Sequence, residues 1–375
     1  MKKSAKLSVF GLAMLNVAAV LSLRGLPIMA ETGLQMFFYL AFSSFLFLIP
    51  CSLISAELAS GWPEEGGVYL WVKEAFGSKW GFMAIWLQWI QNVIWFPVIL
   101  AFAASSFAYI LLAPELANNH YYSVFFINFV YWLATYMTFR GLKTVEKLTS
   151  VAVIGGTIIP VTLVIVLGLI WFFVGQPLNI FTSSQAFLPD FSQFSNVSFL
   201  AGIVLLFAGM EVGAVHVRNL KNPRQDYPKT LLIALIIIVT VFSLGSFAVA
   251  LVLPAKEISL TAGLLQSFDK MLAFYHLRGL LPVMGFLISF GAIGGVMAWI
   301  SGPSKGLLAT AKHGEIPPFL SRTNQQGIQT HILYLQGFFV TLLTSLYLIM
   351  ENINTAFFLL SAMTVALYLL MYILL

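Results

Sequence analysis

The chain has 375 residues, of which 60% are hydrophobic and only 9% are charged, and its mean hydropathy is +0.93. Soluble globular proteins are about 25% charged, so this composition excludes a soluble domain and predicts a chain that is solvated by lipid. The net charge of +5 does not indicate nucleic-acid binding, because the basic residues are sorted as membrane topology requires.

Apolar stretches long enough to cross a bilayer follow one another along the whole chain. A membrane-spanning helix needs about 20 mostly apolar residues, and the spacing predicts about ten such helices in one all-α transmembrane domain, 1–375. The first is predicted to be a retained helix and not a secretory signal, because it is long and further spans follow it. The predicted spans are 7–29, 33–56, 80–112, 121–139, 148–174, 197–217, 228–253, 279–302, 331–350 and 353–375.

The lysines and arginines fall almost entirely on one side of these spans. With the N-terminus inside, 15 of them lie in inner segments and 3 in outer ones, and Arg24 remains within the first span. Cytoplasmic loops carry the excess of positive charge. This distribution predicts a multi-pass protein of the inner cell membrane with a cytoplasmic N-terminus and two distinctive inner loops, at 57–79 and 302–330.

The first and sixth predicted spans are interrupted by flexible or polar residues. Ser22 to Pro27 place an arginine, a glycine and a proline together, and Gly209 to Gly213 place Glu211 between two glycines. Matching breaks in the two halves of a membrane protein point to an inverted-repeat transporter with its site at the breaks. They predict a five-plus-five arrangement, with repeat one at about 7–174 and repeat two at about 197–375.

Several distinctive motifs are spread over essentially the whole chain. They are 16–33, the Trp62-Pro63-Glu64-Glu65-Gly66-Gly67-Val68-Tyr69 stretch, 77–82, 209–212, the Asn219 to Pro228 stretch, 302–307 and 317–319. Together these motifs resemble the amino acid-polyamine-organocation transporter superfamily, and in particular its bacterial glutamate:GABA antiporter branch.

The resemblance implies a leucine-transporter-like fold, an amino acid or related amine as substrate, and alternating access by exchange or by proton coupling. Two features depart from the family pattern. The first break reads Ser22-Leu23-Arg24-Gly25 where the family has a Gly-Ser-Gly-like sequence, and the ten predicted spans end at Leu375 where members commonly have twelve. The second departure predicts a C-terminally truncated product.

Arg24 is the leading candidate for contact with the substrate or for a role in gating. A guanidinium in the centre of a membrane helix costs about 2.5 to 3.5 kcal/mol, so it normally faces protein or a water-filled cavity, and its planar fork can bind a carboxylate at two points. The alternative is a permanent structural pair with Glu31 or Glu211. Glu211 itself is expected to act in gating or proton coupling, or else in structural pairing, and His216 is a candidate pH sensor or an ordinary loop residue.

The remaining predicted binding residues flank the two breaks or carry amides on the third span. Gly25 and Gly209 are expected to open the backbone, and Ala208 and Met210 to present main-chain groups, although glycines in membrane helices also serve close packing. The predicted substrate-binding residues are Ser22, Leu23, Arg24, Gly25, Gln88, Gln91, Asn92, Phe207, Ala208, Gly209 and Met210.

No metal-binding, hydrolase or nucleotide-binding motif occurs in the sequence, so we expect no cofactor, no metal and no enzymatic activity. Transport would then be driven by gradients or by exchange. A polyamine or other amine transporter and a transport-inactive fragment remain alternatives, and a channel is disfavoured because it would need pore-lining rings or a filter loop. The expected partners are a small amino acid or amine, protons and the lipid bilayer.

Overall fold

A computed structural model describes residues 8–62, 66–181, 187–192, 194–311 and 314–375. Within these residues the regular structure is helical, apart from one isolated antiparallel bridge between Thr323 and Gln329. The helices are α1 (Val9–Val20), α2 (Gly25–Ala30), α3 (Gly33–Gly61), α4 (Val68–Phe76), α5 (Ser78–Ile110), α6 (His120–Phe139), α7 (Leu142–Val153, continued by Ile154–Ile158 and Ile159–Phe173), α8 (Phe194–Leu206), α9 (Pro223–Val252), α10 (Gly263–Phe274), α11 (Leu281–Ala311), α12 (Thr330–Ile349) and α13 (Ile353–Leu374).

Seven helices of the described chain are long and apolar enough to cross a membrane without a break: α3, α5, α7, α9, α11, α12 and α13. The other three predicted spans correspond to α6, whose 20 residues are more polar, and to the two interrupted segments. In the first of these, α1 and α2 are separated by four residues. In the second, α8 is followed by a 3₁₀ segment at Val212–Asn219.

The long helix α5 lies at the centre of the bundle. In its most apolar window 78% of the residues are buried, against 33% in α3 and α13, and its main neighbours are α11 and α13. Burial on all sides explains why α5 is apolar around its whole circumference. The amides that α5 carries therefore face other protein segments and not lipid.

Two glycines bring α7 and α11 into direct backbone contact. A Cβ atom built on Gly156 would lie 2.3 Å from the backbone nitrogen of Gly291, and one built on Gly291 would lie 2.5 Å from the carbonyl oxygen of Gly156. Small residues allow such close approach between membrane helices. A side chain at either position would push the two helices apart.

A buried chain of hydrogen bonds joins α5, α6 and α12. The indole N–H of Trp89 donates to Oε1 of Gln336 at 2.8 Å, and Nε2 of Gln336 donates to the hydroxyl of Tyr131 at 2.9 Å. All three side chains are fully buried. The amide of Gln336 therefore satisfies two polar groups that have no access to water.

We expect Gln336→Leu to destabilise the protein, because the Trp89 N–H loses its acceptor and the Tyr131 hydroxyl loses a donor in a dry interior. Each buried group left without a partner costs about 1–3 kcal/mol. Thermal unfolding in detergent would show a lower midpoint for this variant. The exposed Gln326→Leu serves as the control, and an unchanged midpoint for Gln336→Leu would contradict the assignment.

The structure differs from the prediction at both inner loops. The loop expected at 57–79 contains the end of α3 and the whole of α4, because α4 has an apolar face that is buried against the bundle. The loop expected to begin at 302 is helical as far as Ala311, because α11 continues through Pro303. The segment that follows α11 contacts α4: the hydroxyl of Tyr69 in α4 donates to Oε1 of Glu315 at 3.2 Å. Burial and the neighbouring Glu315 carboxylate raise the pKa of Tyr69 to about 12, so this phenol stays protonated and keeps donating at physiological pH.

Candidate functional site

The first break begins where α1 loses its helical backbone at Leu21, whose φ of −74° and ψ of 104° are extended. The amide of Gly25 then donates to the carbonyl of Ser22 at 2.9 Å. A Cβ atom on Gly25 would lie 2.7 Å from the ring of Phe242. The open backbone therefore lies at 21–24, and Gly25 itself is needed for close packing where α2 begins.

The second break depends on Gly209, whose φ of +117° lies in the region that only glycine adopts without strain. It separates the end of α8 at Leu206 from the 3₁₀ segment that starts at Val212. Within that segment, a Cβ atom on Gly213 would overlap the side-chain amide of Asn16 in α1. The two glycines thus have different roles: one allows the turn and the other allows contact between the broken segments.

A cavity of about 50 Å³ lies between the two breaks and the central helices, and we call it the central cavity. Its wall combines polar side chains with two indoles and small apolar groups. The lining residues are Ala19, Val20, Ser22, Arg24, Gln91, Asn92, Trp95, Leu205, Leu206, Ala208, Trp299, Thr364 and Tyr368.

Arg24 is buried in the wall of this cavity without an anionic partner. Among the described residues it forms no ion pair and no hydrogen bond, and its Nε atom is fully enclosed. Neither Glu31 nor Glu211 pairs with it in this structure. The guanidinium does lie 5.8 Å from the ring centroid of Phe357. Such a cation–π contact contributes about 0.5–2 kcal/mol and cannot replace a counter-ion.

Two neighbouring amides on α5 face the same cavity with their NH₂ groups already used. Nε2 of Gln91 donates to the carbonyl of Gln88 at 3.1 Å, and Nδ2 of Asn92 donates to the carbonyl of Trp299 at 2.9 Å. These bonds fix the orientation of each amide, because a flip would set two carbonyl oxygens against each other. The Oδ1 atom of Asn92 is buried without a donor within the described part of the chain.

Glu211 is buried in a cluster of hydrogen bonds that adjoins the central cavity through Tyr368. Its Oε1 accepts from the hydroxyl of Tyr368 at 2.6 Å and from Nε2 of Gln88 at 3.3 Å, and its Oε2 accepts from the hydroxyl of Tyr372 at 2.5 Å. The hydroxyl of Tyr372 also accepts from the amide of Gly209 at 2.9 Å. The carboxylate is therefore held by three donors from α5 and α13 and is tied to the second break.

The structure brings some of the predicted residues into the cavity wall and places the others around it. Ser22, Arg24, Gln91, Asn92 and Ala208 line the central cavity. Leu23 lines only a second, adjoining cavity, which we call the rear cavity. Gly25, Gln88, Phe207, Gly209 and Met210 line neither; they pack or form hydrogen bonds behind the wall.

Met210 and Phe207 illustrate these supporting positions. The carbonyl of Met210 accepts from the hydroxyl of Tyr227 at 3.5 Å, and the ring of Phe207 packs on Phe242 at a centroid distance of 5.0 Å.

The side chain of His216 lies outside the described residues. Its predicted role in pH sensing therefore stays a prediction.

Sequence reasoning missed the contribution of α13. Thr364 and Tyr368 line the central cavity, and Tyr372 completes the Glu211 cluster. These residues are spaced four apart, which places them on one face of a helix. This polar stripe in an otherwise apolar span was the available signal. No comparable signal marked Trp299 as a cavity residue, since a tryptophan in a span equally suits an interface anchor.

Comparison with known proteins places the chain in a family. The sequence model of the amino acid permease family matches residues 7–375. An uncharacterised transporter of Legionella pneumophila is 40% identical over 367 residues, which is 98% of this chain and 79% of the relative. The glutamate/gamma-aminobutyrate antiporter of Lactococcus lactis subsp. lactis is 32% identical over 374 residues, covering 98% of this chain and 74% of that protein.

The fold also matches a solved structure. The crystal structure of MhsT in complex with L-phenylalanine superposes with a TM-score of 0.64 over 98% of this chain and 89% of that one, at 14% sequence identity. This likeness confirms the predicted leucine-transporter-like, all-α membrane fold. Because the family model matches nearly the whole sequence, the chain belongs to the amino acid permease family, as a multi-pass membrane protein.

Proposed function

We propose that the chain is a secondary transporter that exchanges amino acids across the inner membrane from a site in the central cavity. The observation that carries this proposal is the guanidinium of Arg24, which is buried in the cavity wall and has no ion-pair partner in the described part of the chain. A buried cation without a partner is costly unless an anionic group reaches it. A substrate carboxylate supplies that group, because it matches the guanidinium fork at two points.

The charge of the wall favours an amino acid over a polyamine. Arg24 is the one charged side chain that lines the central cavity in the described structure. A polyamine would place like charge against it, whereas a zwitterion or an acidic amino acid would not. The names of the relatives include both classes: glutamate/gamma-aminobutyrate antiporters and a probable agmatine/putrescine antiporter that is 25% identical.

We also propose that the amide oxygens of Gln91 and Asn92 receive the substrate ammonium group. Their NH₂ groups are held by main-chain carbonyls, which leaves the oxygens as acceptors. An acceptor on α5 and a cation at the first break together suit a molecule that carries both an ammonium and a carboxylate.

The N-terminus is proposed to be cytoplasmic, and Glu211 is proposed to be the group that couples protons to transport. The topology rests on the basic residues, 15 of which would lie inside and 3 outside. The role of Glu211 rests on its burial and on its bond to Tyr372, which also holds the Gly209 break. A change in its charge would alter the bonds that stabilise the second break.

Counterflow in proteoliposomes tests the proposed function. Vesicles containing the full chain are preloaded with one unlabelled compound, and entry of its labelled form is followed at pH 5.5 and pH 7.5. We expect exchange of amino acids, with glutamate and gamma-aminobutyrate among the first tested, and no exchange of putrescine or agmatine. Exchange of the polyamines alone would contradict the proposed substrate class, and an inert, correctly folded protein would contradict transport itself.

A further inference from the structure

The helices α6 and α12 pack side by side and leave aromatic side chains exposed on a surface that borders neither cavity. The indole N–H of Trp132 donates to the hydroxyl of Thr341 at 3.1 Å, and the ring of Phe139 packs on Tyr334 at a centroid distance of 5.3 Å. The order of these contacts is reversed between the two helices, so the helices run antiparallel. We call this surface the aromatic seam, and its exposed side chains are those of Trp132, Leu133, Tyr136, Tyr334, Phe338 and Leu342.

The indole of Trp132 has a fixed position in this seam. A Cβ atom built on Gly337 of α12 would lie 2.5 Å from Cη2 of the indole, so the ring lies directly against the backbone of α12. Its N–H is already bonded to Thr341. The ring is nevertheless 37% exposed. Because the seam lies on two membrane-spanning helices, we expect this exposed part of the ring to contact lipid.

Arg140 lies at the end of the seam where α6 stops. Its Nη2 donates to the hydroxyl of Tyr136 at 2.6 Å, and its guanidinium carbon lies 5.1 Å from the centroid of the same ring. Trp132, Tyr136 and Arg140 are spaced four apart, which places them on one face of the helix. The guanidinium is therefore held against the exposed face of α6. Among the described residues it makes no other hydrogen bond, so its remaining N–H groups can bind a ligand.

The loop before α12 adds a second cation at this end of the seam. Nδ2 of Asn324 donates to the carbonyl of Phe139 at 3.0 Å, so the loop contacts the last turn of α6. Arg322 is exposed, and its carbonyl accepts from the amide of Thr330, the first residue of α12, at 3.1 Å. A basic residue therefore lies at this end of each of the two helices.

The charge of Arg140 has no carboxylate to balance it. The sequence contains no aspartate or glutamate at 116–145 or at 316–350, the ranges that include α6 and α12. Arg140 also forms no ion pair in the described part of the chain. A cation that is held beside aromatic rings without a neighbouring acid attracts an anion from outside the protein.

We propose that the aromatic seam binds an anionic phospholipid, with the lipid phosphate on Arg140 and the acyl chains along the exposed rings. A guanidinium matches phosphate oxygens at two points. Basic residues at the membrane surface attract anionic headgroups. A zwitterionic lipid also carries a phosphate, but its headgroup brings a further cation towards Arg140 and Arg322. The seam is separate from both cavities, so this inference does not depend on the proposed transport function.

Fluorescence quenching by brominated lipids tests the inference on the reconstituted full chain. Bromine atoms on the acyl chains quench an indole that they contact, and the signal of Trp132 is the part of the emission that Trp132→Phe removes. The protein is placed in vesicles that mix phosphatidylglycerol with phosphatidylcholine, and one of the two lipids is brominated in each series. We expect phosphatidylglycerol to be preferred beside Trp132 by about fivefold, the size expected for one cation at a membrane surface.

Two charge variants decide whether Arg140 is responsible. Arg140→Gln is expected to remove the preference and to keep quenching by brominated phosphatidylcholine, because the rings remain. Lys229→Gln removes the same charge from an exposed position in α9, on the same proposed side of the membrane, and should keep the preference. Equal quenching of the wild type by both lipids, or a preference that survives in Arg140→Gln, would overturn the inference. Absence of quenching by either lipid would also overturn it, since a second copy of the chain would then cover the seam.

Discussion

Arg24→Met is expected to reduce amino acid counterflow by about 100-fold while leaving the folded protein at least as heat-stable as the wild type. Removing one member of a buried, hydrogen-bonded charge pair costs about 2–5 kcal/mol of binding. In the absence of substrate the guanidinium has no counter-ion among the described residues, and its burial costs about 2.5–3.5 kcal/mol, which methionine does not incur. Activity and stability should therefore change in opposite directions.

Arg24→Lys distinguishes the charge from the shape of the guanidinium. Lysine keeps the positive charge but loses the planar fork that binds a carboxylate at two points. We expect its apparent affinity to lie between those of the wild type and Arg24→Met, with an unchanged thermal midpoint. Full transport by a folded Arg24→Met protein would show that the substrate carboxylate is bound elsewhere. A large loss of thermal stability would indicate a structural role instead.

The second large effect is expected at Glu211. Glu211→Ala leaves the hydroxyls of Tyr368 and Tyr372 and the amide of Gln88 without their common acceptor. Since each buried unsatisfied group costs about 1–3 kcal/mol, the combined cost of the three groups is enough to impair folding. We expect low yield and a thermal midpoint well below that of the wild type, measured in the same detergent.

Glu211→Gln is the variant that tests coupling. Glutamine keeps the size and one carbonyl acceptor but cannot change charge. We expect it to fold and to exchange substrate at rates that no longer differ between pH 5.5 and pH 7.5. Tyr372→Phe is the companion variant, since it removes the bond from Glu211 to the second break and keeps the ring. A wild-type pH profile in Glu211→Gln would assign the coupling proton to another group.

Much of the fold could be predicted from the sequence, because apolar length and the positions of breaking residues act locally. The break at 21–24, just before Pro27, and the break at Gly209 both lie beside residues that disturb a helix wherever they stand. The end of the eighth span could not be placed in this way. Gly302 and Pro303 suggested a loop, but a proline removes only one hydrogen bond from a helix that tertiary packing otherwise supports.

The site was harder to predict than the fold because its contacts join segments distant in sequence. An amide such as Gln91 can be recognised as a polar group in a span. Whether Gln88 faces the cavity or holds Glu211 depends on where α13 lies, and nothing in the third span reveals that. The absence of a partner for Arg24 is likewise a property of the assembled bundle. Glu31 and Glu211 were both plausible partners until their positions were known.

The backbone contact between Gly156 and Gly291 has a consequence for how the protein can move. Two helices whose backbones touch cannot slide past each other without a collision. We therefore expect α7 and α11 to move together as one rigid body when access to the site changes from one side of the membrane to the other. We expect the backbone to bend outside this contact, in the connections that join α7 and α11 to their neighbouring helices. The distance between two spectroscopic labels, one on α7 and one on α11, should stay constant throughout the transport cycle.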